Sequence, residues 1–151
     1  MQLQEGIRVN GYFWFRVYDM KGKLKEELYV SNSMTTTGLA SIAAMLVADV
    51  GLTGYDYIAV GTGTTGWSAA NVAMESEVGR VATTGSVTTT TGALDTAQFV
   101  AQTTFGASFA ITEVGVLNAS SSGNLLCRQT FAAINVVSGD SLQVTYKVKC
   151  A

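Results

Sequence analysis

The stretch Tyr-Asp-Tyr-Ile-Ala-Val-Gly-Thr-Gly-Thr-Thr-Gly occupies residues 55–66 and organises the rest of the chain. Residues 57–60 form a short apolar run that Gly54 and Gly61 bound. Such a run predicts a strand that is buried on both faces, near the middle of a sheet. A glycine-rich bend follows at once, and we interpret Gly61, Gly63 and Gly66 as positions whose backbone angles other residues avoid.

The same bend has the spacing G-x-G-x-x-G, which is the pattern of dinucleotide-binding loops. That pattern indicates nucleotide binding only where a first strand leads through the bend into a helix, within alternating βαβ units. Here a hairpin and a helix precede the bend, and further strands follow it. Glu75 and Glu77 lie too close to serve as the ribose-binding acid, which is expected about 20 residues on. We therefore predict a tight turn after a central strand and no cofactor.

The N-terminal part of the chain predicts a β-hairpin over residues 7–30. Residues 7–18 alternate, so that Ile7, Val9, Phe13, Phe15 and Val17 form a core face. The turn at 19–23 leads into a second strand. The outward side chains mix aromatic rings with arginine, a composition typical of contact surfaces. Packing against other subunits is the interpretation that we favour, and stacking on sugars or bases is the alternative. The predicted contact residues are Tyr12, Trp14, Arg16, Tyr18 and Tyr29 on the hairpin, together with Trp67 of the loop at 61–68.

The remaining chain predicts one helix followed by strands. Apolar residues recur at helical spacing over about 38–50, namely Leu39, Ile42, Ala43, Leu46, Val47 and Val50, and a threonine just before them is the expected N-cap. Strands are predicted at 79–91, 95–105, 109–117, 124–136 and 141–150. The fold predicted for residues 1–151 is therefore mainly β: a single antiparallel, jelly-roll-like β-sandwich domain in which the hairpin at 7–30 and one amphipathic helix, packed at the edge, precede the strands at 55–150.

Glu113 is predicted to lie on an apolar strand face together with Phe109, Ile111 and Leu117. A carboxylate there is unfavourable unless it is paired, and Arg80 and Arg128 are the available partners. A catalytic acid that forms a carboxylate pair with Glu75 or Glu77 for glycoside cleavage is the alternative. We favour structural ion pairs and predict no catalytic residue; the residues concerned are Glu77, Arg80, Glu113 and Arg128.

Composition restricts the class of protein. Only 13% of residues are charged and 48% are hydrophobic, against about 25% charged in average soluble domains. A surface so poor in charge is favourable against another subunit, so we expect an oligomer. The net charge of −2 gives no electrostatic basis for binding nucleic acid or a membrane. The chain has no histidine, and its two cysteines, Cys127 and Cys150, are expected to be buried free thiols. We predict no metal site.

From residue 32 onward the order of motifs resembles that of small virion proteins of tailed bacteriophages. The matching pieces are Asn32-x-x-Thr35-x-x-Gly38-Leu39-x-x-Ile42-Ala43, residues 58–65, Glu77-x-x-Arg80, and residues 111–118, 123–128 and 139–142. The resemblance carries over no catalytic residue. It implies a non-enzymatic virion structural protein, with a capsid decoration (cement) protein as the first choice. Its partners would be the major capsid protein and further copies of itself, in an expected trimer, with no small-molecule substrate. A tail, baseplate or fibre component, including a receptor-binding module, is the alternative.

Overall fold

The computed structural model describes residues 9–46, 54–89 and 95–150, which form two antiparallel sheets and one helix. The elements in chain order are β1 (Val9–Tyr18), β2 (Leu24–Asn32), α1 (Thr36–Leu46), β3 (Tyr57–Gly61), β4 (Glu77–Ala82), β5 (Thr84–Thr88), β6 (Thr96–Thr104), β7 (Phe109–Leu117), β8 (Leu125–Val136) and β9 (Ser141–Cys150). The five-stranded sheet has the order β2-β1-β9-β6-β5, and the four-stranded sheet has the order β4-β3-β7-β8. The predicted β-sandwich with one helix is confirmed.

The core lies between the two sheets. Alternate side chains of β1 and β9 point inward, and the rings of Phe13 and Tyr146 stack there with centroids 4.5 Å apart. Side chains of β3, β7 and β8 meet them from the other sheet, because each inward face is almost continuously apolar. The buried residues of this layer include Phe13, Phe15, Ile58, Val60, Ile111, Val114, Ile134, Leu142, Val144 and Tyr146.

The N-terminal hairpin is confirmed over its described part, although residues 7 and 8 lie outside the described residues. Its strands pair antiparallel, with Phe13 opposite Val30 and Phe15 opposite Leu28. The Asp19 carboxylate closes the turn because its Oδ1 accepts hydrogen bonds from the backbone N–H groups of Lys21 and Lys23, at 2.8 and 2.9 Å. Hydrogen bonds from a short polar side chain to the following backbone are the usual mechanism of such turns.

The single strand predicted at 79–91 is wrong. The chain breaks at Thr83, so that β4 pairs with β3 in one sheet and β5 pairs with β6 in the other. The backbone N–H of Thr83 donates to the carbonyl of Asp56 at 2.7 Å, which fixes the point of crossing. A strand that changes sheets keeps β-type residues throughout, so its alternation gives no signal of the break. Residues 90 and 91 lie outside the described residues.

The helix begins at Thr36, two residues before the predicted start, and Thr35 is its N-cap. The Thr35 hydroxyl accepts a hydrogen bond from the Gly38 N–H at 3.0 Å and donates to the Leu125 carbonyl at 2.5 Å. The predicted apolar stripe is only partly correct. Ile42 packs against the core, whereas Leu39 is 54% exposed. The helix instead turns Gly38 towards β8, where a Cβ would lie 2.2 Å from the Leu126 carbonyl oxygen, and Ser41 towards the hydroxyl of Tyr55, 2.8 Å from its Oγ. Residues 47–50 lie outside the described residues.

The two cysteines differ in environment, which corrects the expectation that both are buried. Cys127 is fully buried on β8, whereas Cys150 is exposed at the end of β9, and both are free thiols. Burial raises the pKa of Cys127 to about 12. A thiol reacts as its thiolate, so this group is inert near neutral pH in the folded protein.

We expect a thiol reagent at pH 8 to label one cysteine of the native protein and two after unfolding in denaturant. The reason is that Cys127 is buried from the reagent and its raised pKa keeps it protonated at pH 8, whereas Cys150 is exposed. A Cys150→Ser variant serves as the control, since its native form should take up no label. Rapid labelling of that variant under native conditions would contradict the buried position of Cys127.

Candidate functional site

The predicted central strand is β3, and it lies between β4 and β7. Ile58 and Val60 point into the core between the sheets, and each is 1% exposed. Ala59 points to the opposite face, where it packs with Leu117 and Leu125 in a second buried cluster. The strand is therefore buried on both faces, as predicted. The connection at residues 62–76, which follows the strand, packs over this second face.

The connection at residues 62–76 contains no helix and returns the chain to β4, beside β3. The backbone N–H of Thr62 bonds to the carbonyl of Ser76 at 2.9 Å, so the two ends of the connection meet. Between them, the side chain of Met74 packs against the cluster that includes Ala59. The step from strand into helix that a dinucleotide-binding loop requires is missing from this segment.

The glycines of the bend have a different role from the predicted one. None of the three adopts a positive φ; among the described residues, the glycines that do are Gly22, Gly123 and Gly139. A Cβ on Gly61 would lie 2.3 Å from the Ser76 carbonyl oxygen and 2.5 Å from Oε1 of Glu113. A Cβ on Gly63 would lie 2.6 Å from the same Oε1, whereas Gly66 has no atom within 4 Å. Gly61 and Gly63 are thus required for close packing around one carboxylate.

Glu113 is that carboxylate, and it is completely buried. Its Oε1 accepts hydrogen bonds from the backbone N–H groups of Gly63 at 3.1 Å and Ser76 at 2.6 Å. Its Oε2 accepts from the N–H of Glu75 at 3.1 Å and from Nε of Arg128 at 2.8 Å. Four donors from three segments therefore converge on one side chain. This satisfies the buried charge and fixes both ends of the 62–76 connection to the sheet.

Arg128 extends this network towards solvent. Its guanidinium donates to the Thr65 carbonyl at 2.9 Å and to Oε2 of Glu75 at 3.0 Å. Hydrogen bonds from the side chain and backbone of Thr65, together with the nearby charge of Arg128, hold the pKa of Glu75 below its usual value. Glu75 was considered as a catalytic or ribose-binding acid from the sequence, and the structure places it as the second carboxylate on Arg128.

A β-bulge places Glu113 on a different face from the predicted one. The pairing of β7 with β8 shifts between Ile111 and Glu113. Ile111 therefore faces the core between the sheets, while Leu117 lies in the outer cluster on the same side as Glu113. The predicted shared face of Phe109, Ile111, Glu113 and Leu117 is wrong, because the side-chain alternation of β7 reverses where the pairing shifts and residues 131–133 of β8 lie opposite Thr112 alone.

The second arginine considered for Glu113 has other partners. Arg80 pairs with Glu77, with Nε–Oε1 and Nη2–Oε2 distances of 2.9 and 2.6 Å. Its Nη1 donates to the carbonyls of Ala119 and Ser122 at 2.8 and 2.9 Å. Arg80 thereby joins β4 to the turn between β7 and β8. The four predicted ion-pair residues form two separate pairs.

The five contact residues predicted on the hairpin lie on the outer face of the five-stranded sheet. We call this set, Tyr12, Trp14, Arg16, Tyr18 and Tyr29, the outer aromatic surface. Trp67 lies apart from it, on the connection that covers the opposite sheet. Trp14 is directly opposite Tyr29 on β2 and Thr145 on β9.

The rings and the guanidinium of the outer aromatic surface hold one another in place. Trp14 and Tyr29 stack nearly parallel, with centroids 5.4 Å apart and planes 9° apart. The guanidinium carbon of Arg16 lies 4.0 Å from the Trp14 ring centroid, and Arg16 also donates a hydrogen bond to Gln143. The three side chains contact one another within the single chain, and Tyr29 is 58% exposed.

Three further findings concern metal binding, membrane-spanning helices and similarity to known proteins. Within residues 9–46, 54–89 and 95–150, no group of three or more acidic or cysteine side chains is placed to hold a metal ion. No helix in the same described ranges is long and apolar enough to cross a membrane. No protein-family model matches the chain, and comparisons with curated proteins and with solved structures find no similar protein.

Proposed function

We propose that this chain is a non-enzymatic structural protein that binds other protein subunits through its outer aromatic surface. The observation that carries the proposal is the preordered stack of Tyr29, Trp14 and Arg16 on an outward sheet face. Tryptophan, tyrosine and arginine dominate the binding energy of protein interfaces. Holding them in place beforehand reduces the entropy that is lost on binding.

Together with the resemblance in motif order, this surface supports a capsid decoration protein of a tailed bacteriophage. Such a protein would sit on joints between capsid subunits and stabilise the shell by burying apolar and threonine-rich surface there. Only 13% of residues are charged, and a surface with so few charges is favourable when it is buried against other subunits. The trimer implied by the resemblance remains a prediction, which native mass spectrometry checks.

The buried Glu113–Arg128 pair supports a structural role over the catalytic alternative. Both carboxylate oxygens of Glu113 are fully engaged, and the side chain has no exposed surface. A general acid must reach the atom to which it gives a proton. The network instead fixes the 62–76 connection over the four-stranded sheet.

A second candidate is a tail, baseplate or fibre component that binds a receptor. A polar cleft of about 400 Å³ adjoins the outer aromatic surface and favours this candidate. Tyr18, Gln102, Ser141 and Gln143 are among its lining residues. Amide and hydroxyl groups beside aromatic rings suit a hydroxyl-rich ligand such as a glycan. Glycan-array binding that depends on Gln102 would support this candidate over the decoration protein.

The proposed function predicts that Tyr29→Ala weakens binding to phage capsid shells that lack this protein. We expect a loss of about 2 kcal/mol, or about 30-fold in affinity, because an exposed aromatic anchor is removed. Val72→Ala is the matched control, since Val72 is 70% exposed on the opposite side of the sandwich. Binding would be measured by sedimentation with the shells. Equal affinity of both variants and the parent would contradict the assignment of the surface. Unchanged shell stability after deletion of the gene would contradict decoration itself.

A further inference from the structure

Within the part of the chain that the structure describes, the sandwich has four edge strands, and three of them carry features that disfavour pairing with another chain. An unpaired edge presents free backbone donors and acceptors, and proteins protect it with charges, bulges or covering segments. On β2 the protection consists of Lys25, Glu26 and Glu27, with Glu26 opposite the inward residue Val17. On β4 it is the Glu77–Arg80 pair.

The third protected edge is β8. Met34 forms a β-bridge with Cys127, and the Thr35 N–H donates to the Leu126 carbonyl at 3.0 Å. Residues 34 and 35, just before α1, therefore cover the first part of β8. Further along, residues 131–133 of β8 lie opposite Thr112 alone, because the register shifts there. A bulge of this size twists the edge out of line.

The fourth edge, β5, has none of these features. Its sequence Thr-Gly-Ser-Val-Thr contains no charge and no proline, and residues 84–87 are exposed. It pairs with β6 on one side, and no strand of residues 9–46, 54–89 or 95–150 pairs with its other side. Val87 is 60% exposed, which is unusual for a β-branched residue on the inward row of a sheet.

We propose that β5 is a docking edge for β5 of a second copy of this chain, paired antiparallel about a two-fold axis at Ser86. In that register Thr84 meets Thr88 of the other copy, and Gly85 meets Val87. The space over Gly85 is open: a Cβ there would have Phe99 Cδ1, at 4.0 Å, as its nearest neighbour. The Val87 side chain of the second copy fills this space and packs against Phe99.

Three physical reasons select a second copy as the occupant. The strand is uncharged, so self-pairing brings no like charges together. Threonine–threonine pairs are favourable across antiparallel strands. The exposed Val87 and the open position at Gly85 are complementary only in the antiparallel register centred on Ser86. The two five-stranded sheets then join into one sheet of ten strands. Because the contact has two-fold symmetry, it joins copies in pairs, and trimers that also used it would associate into hexamers or larger assemblies.

The contact does not depend on a virion and is tested on the purified protein. A ladder of five residues buries less than the roughly 1,200 Å² of typical stable interfaces, so we expect a dissociation constant weaker than about 10 µM. Sedimentation equilibrium up to about 1 mM protein should show the mass rising from that of the smallest species to twice that value. Val87→Lys should raise the dissociation constant at least about tenfold, since it places a charge on the edge. Leu24→Lys, at the exposed start of β2, is the matched control and should leave it unchanged.

Cross-linking tests the register. In a Cys150→Ser background, Ser86→Cys should form a disulfide between two copies under mild oxidation, because the two Ser86 positions face each other. Thr84→Cys alone should not cross-link, whereas an equimolar mixture of Thr84→Cys and Thr88→Cys chains should. A mass that stays constant to 1 mM, a doubling of the mass that Val87→Lys leaves unchanged, or equal cross-linking of all single variants would each overturn the proposal. None of these outcomes bears on binding through the outer aromatic surface, so the two proposals fail separately.

Discussion

Replacing Glu113 with glutamine is expected to lower the free energy of unfolding by about 3–5 kcal/mol, the usual result of removing one partner of a buried ion pair. Glutamine keeps the shape of the side chain but offers one acceptor oxygen to four donors: three backbone N–H groups and Nε of Arg128. Its amide N–H₂ group would point at other donors. Arg128, which is 1% exposed, would keep its charge with its inner partner gone.

Urea unfolding measures this effect, with a lower midpoint and an unchanged slope as the expected result. Glu77→Gln is the matched control, because the Glu77 side chain is 32% exposed and Arg80, although 10% exposed, keeps its two backbone carbonyl acceptors when the carboxylate is removed. Exposed pairs contribute about 0–1 kcal/mol. Equal destabilisation by the two substitutions would contradict the assignment of Glu113 as the fixed point of the 62–76 connection.

A double-mutant cycle separates the pair from its surroundings. Arg128→Met removes the positive charge, and the double variant with Glu113→Gln leaves neither charge in the site. We expect a coupling energy of about 1–3 kcal/mol between the two positions, so that the double variant is more stable than the sum of the single effects predicts. Additive effects would indicate that the backbone N–H groups alone hold the carboxylate.

The sequence predicted those parts of the fold that depend on alternation and on turn chemistry. The hairpin of β1 and β2 is an example, because Phe13, Phe15 and Val17 alternate with polar or amphipathic residues and Asp19 closes the turn. The fully apolar run at β3 likewise predicted a strand buried on both faces. In each case the signal lies within about ten residues, which is the range over which periodicity operates.

The errors occurred where contacts distant in sequence override the local pattern. The side-chain alternation of β7 reverses between Ile111 and Glu113, where the Glu113 carboxylate accepts hydrogen bonds from residues 63, 75, 76 and 128. The helix faces the core with Gly38, because the Leu126 carbonyl lies beneath it. No property of either local sequence shows these neighbours. The candidate site divides in the same way. The outer aromatic surface could be predicted from the alternation of β1 and β2. The contact between Glu75 and Arg128 could not, because the two residues are 53 positions apart in the sequence.

The glycines of the 61–66 bend provide the sharpest contrast between packing and nucleotide binding. Gly61→Ala is expected to destabilise the protein by about 2–3 kcal/mol, the upper part of the roughly 1–3 kcal/mol typical of overpacked cores, because its Cβ would lie 2.3 Å from the Ser76 carbonyl oxygen. Gly66→Ala should be neutral or stabilising by about 0.4–1 kcal/mol, since the site is open, φ is not positive and the unfolded chain loses freedom. Thermal and urea unfolding of the two variants measure the difference. A dinucleotide-binding loop uses its third glycine for close packing between helix and strand. A large loss of stability in Gly66→Ala would therefore contradict the packing role and revive the nucleotide-binding interpretation of this bend.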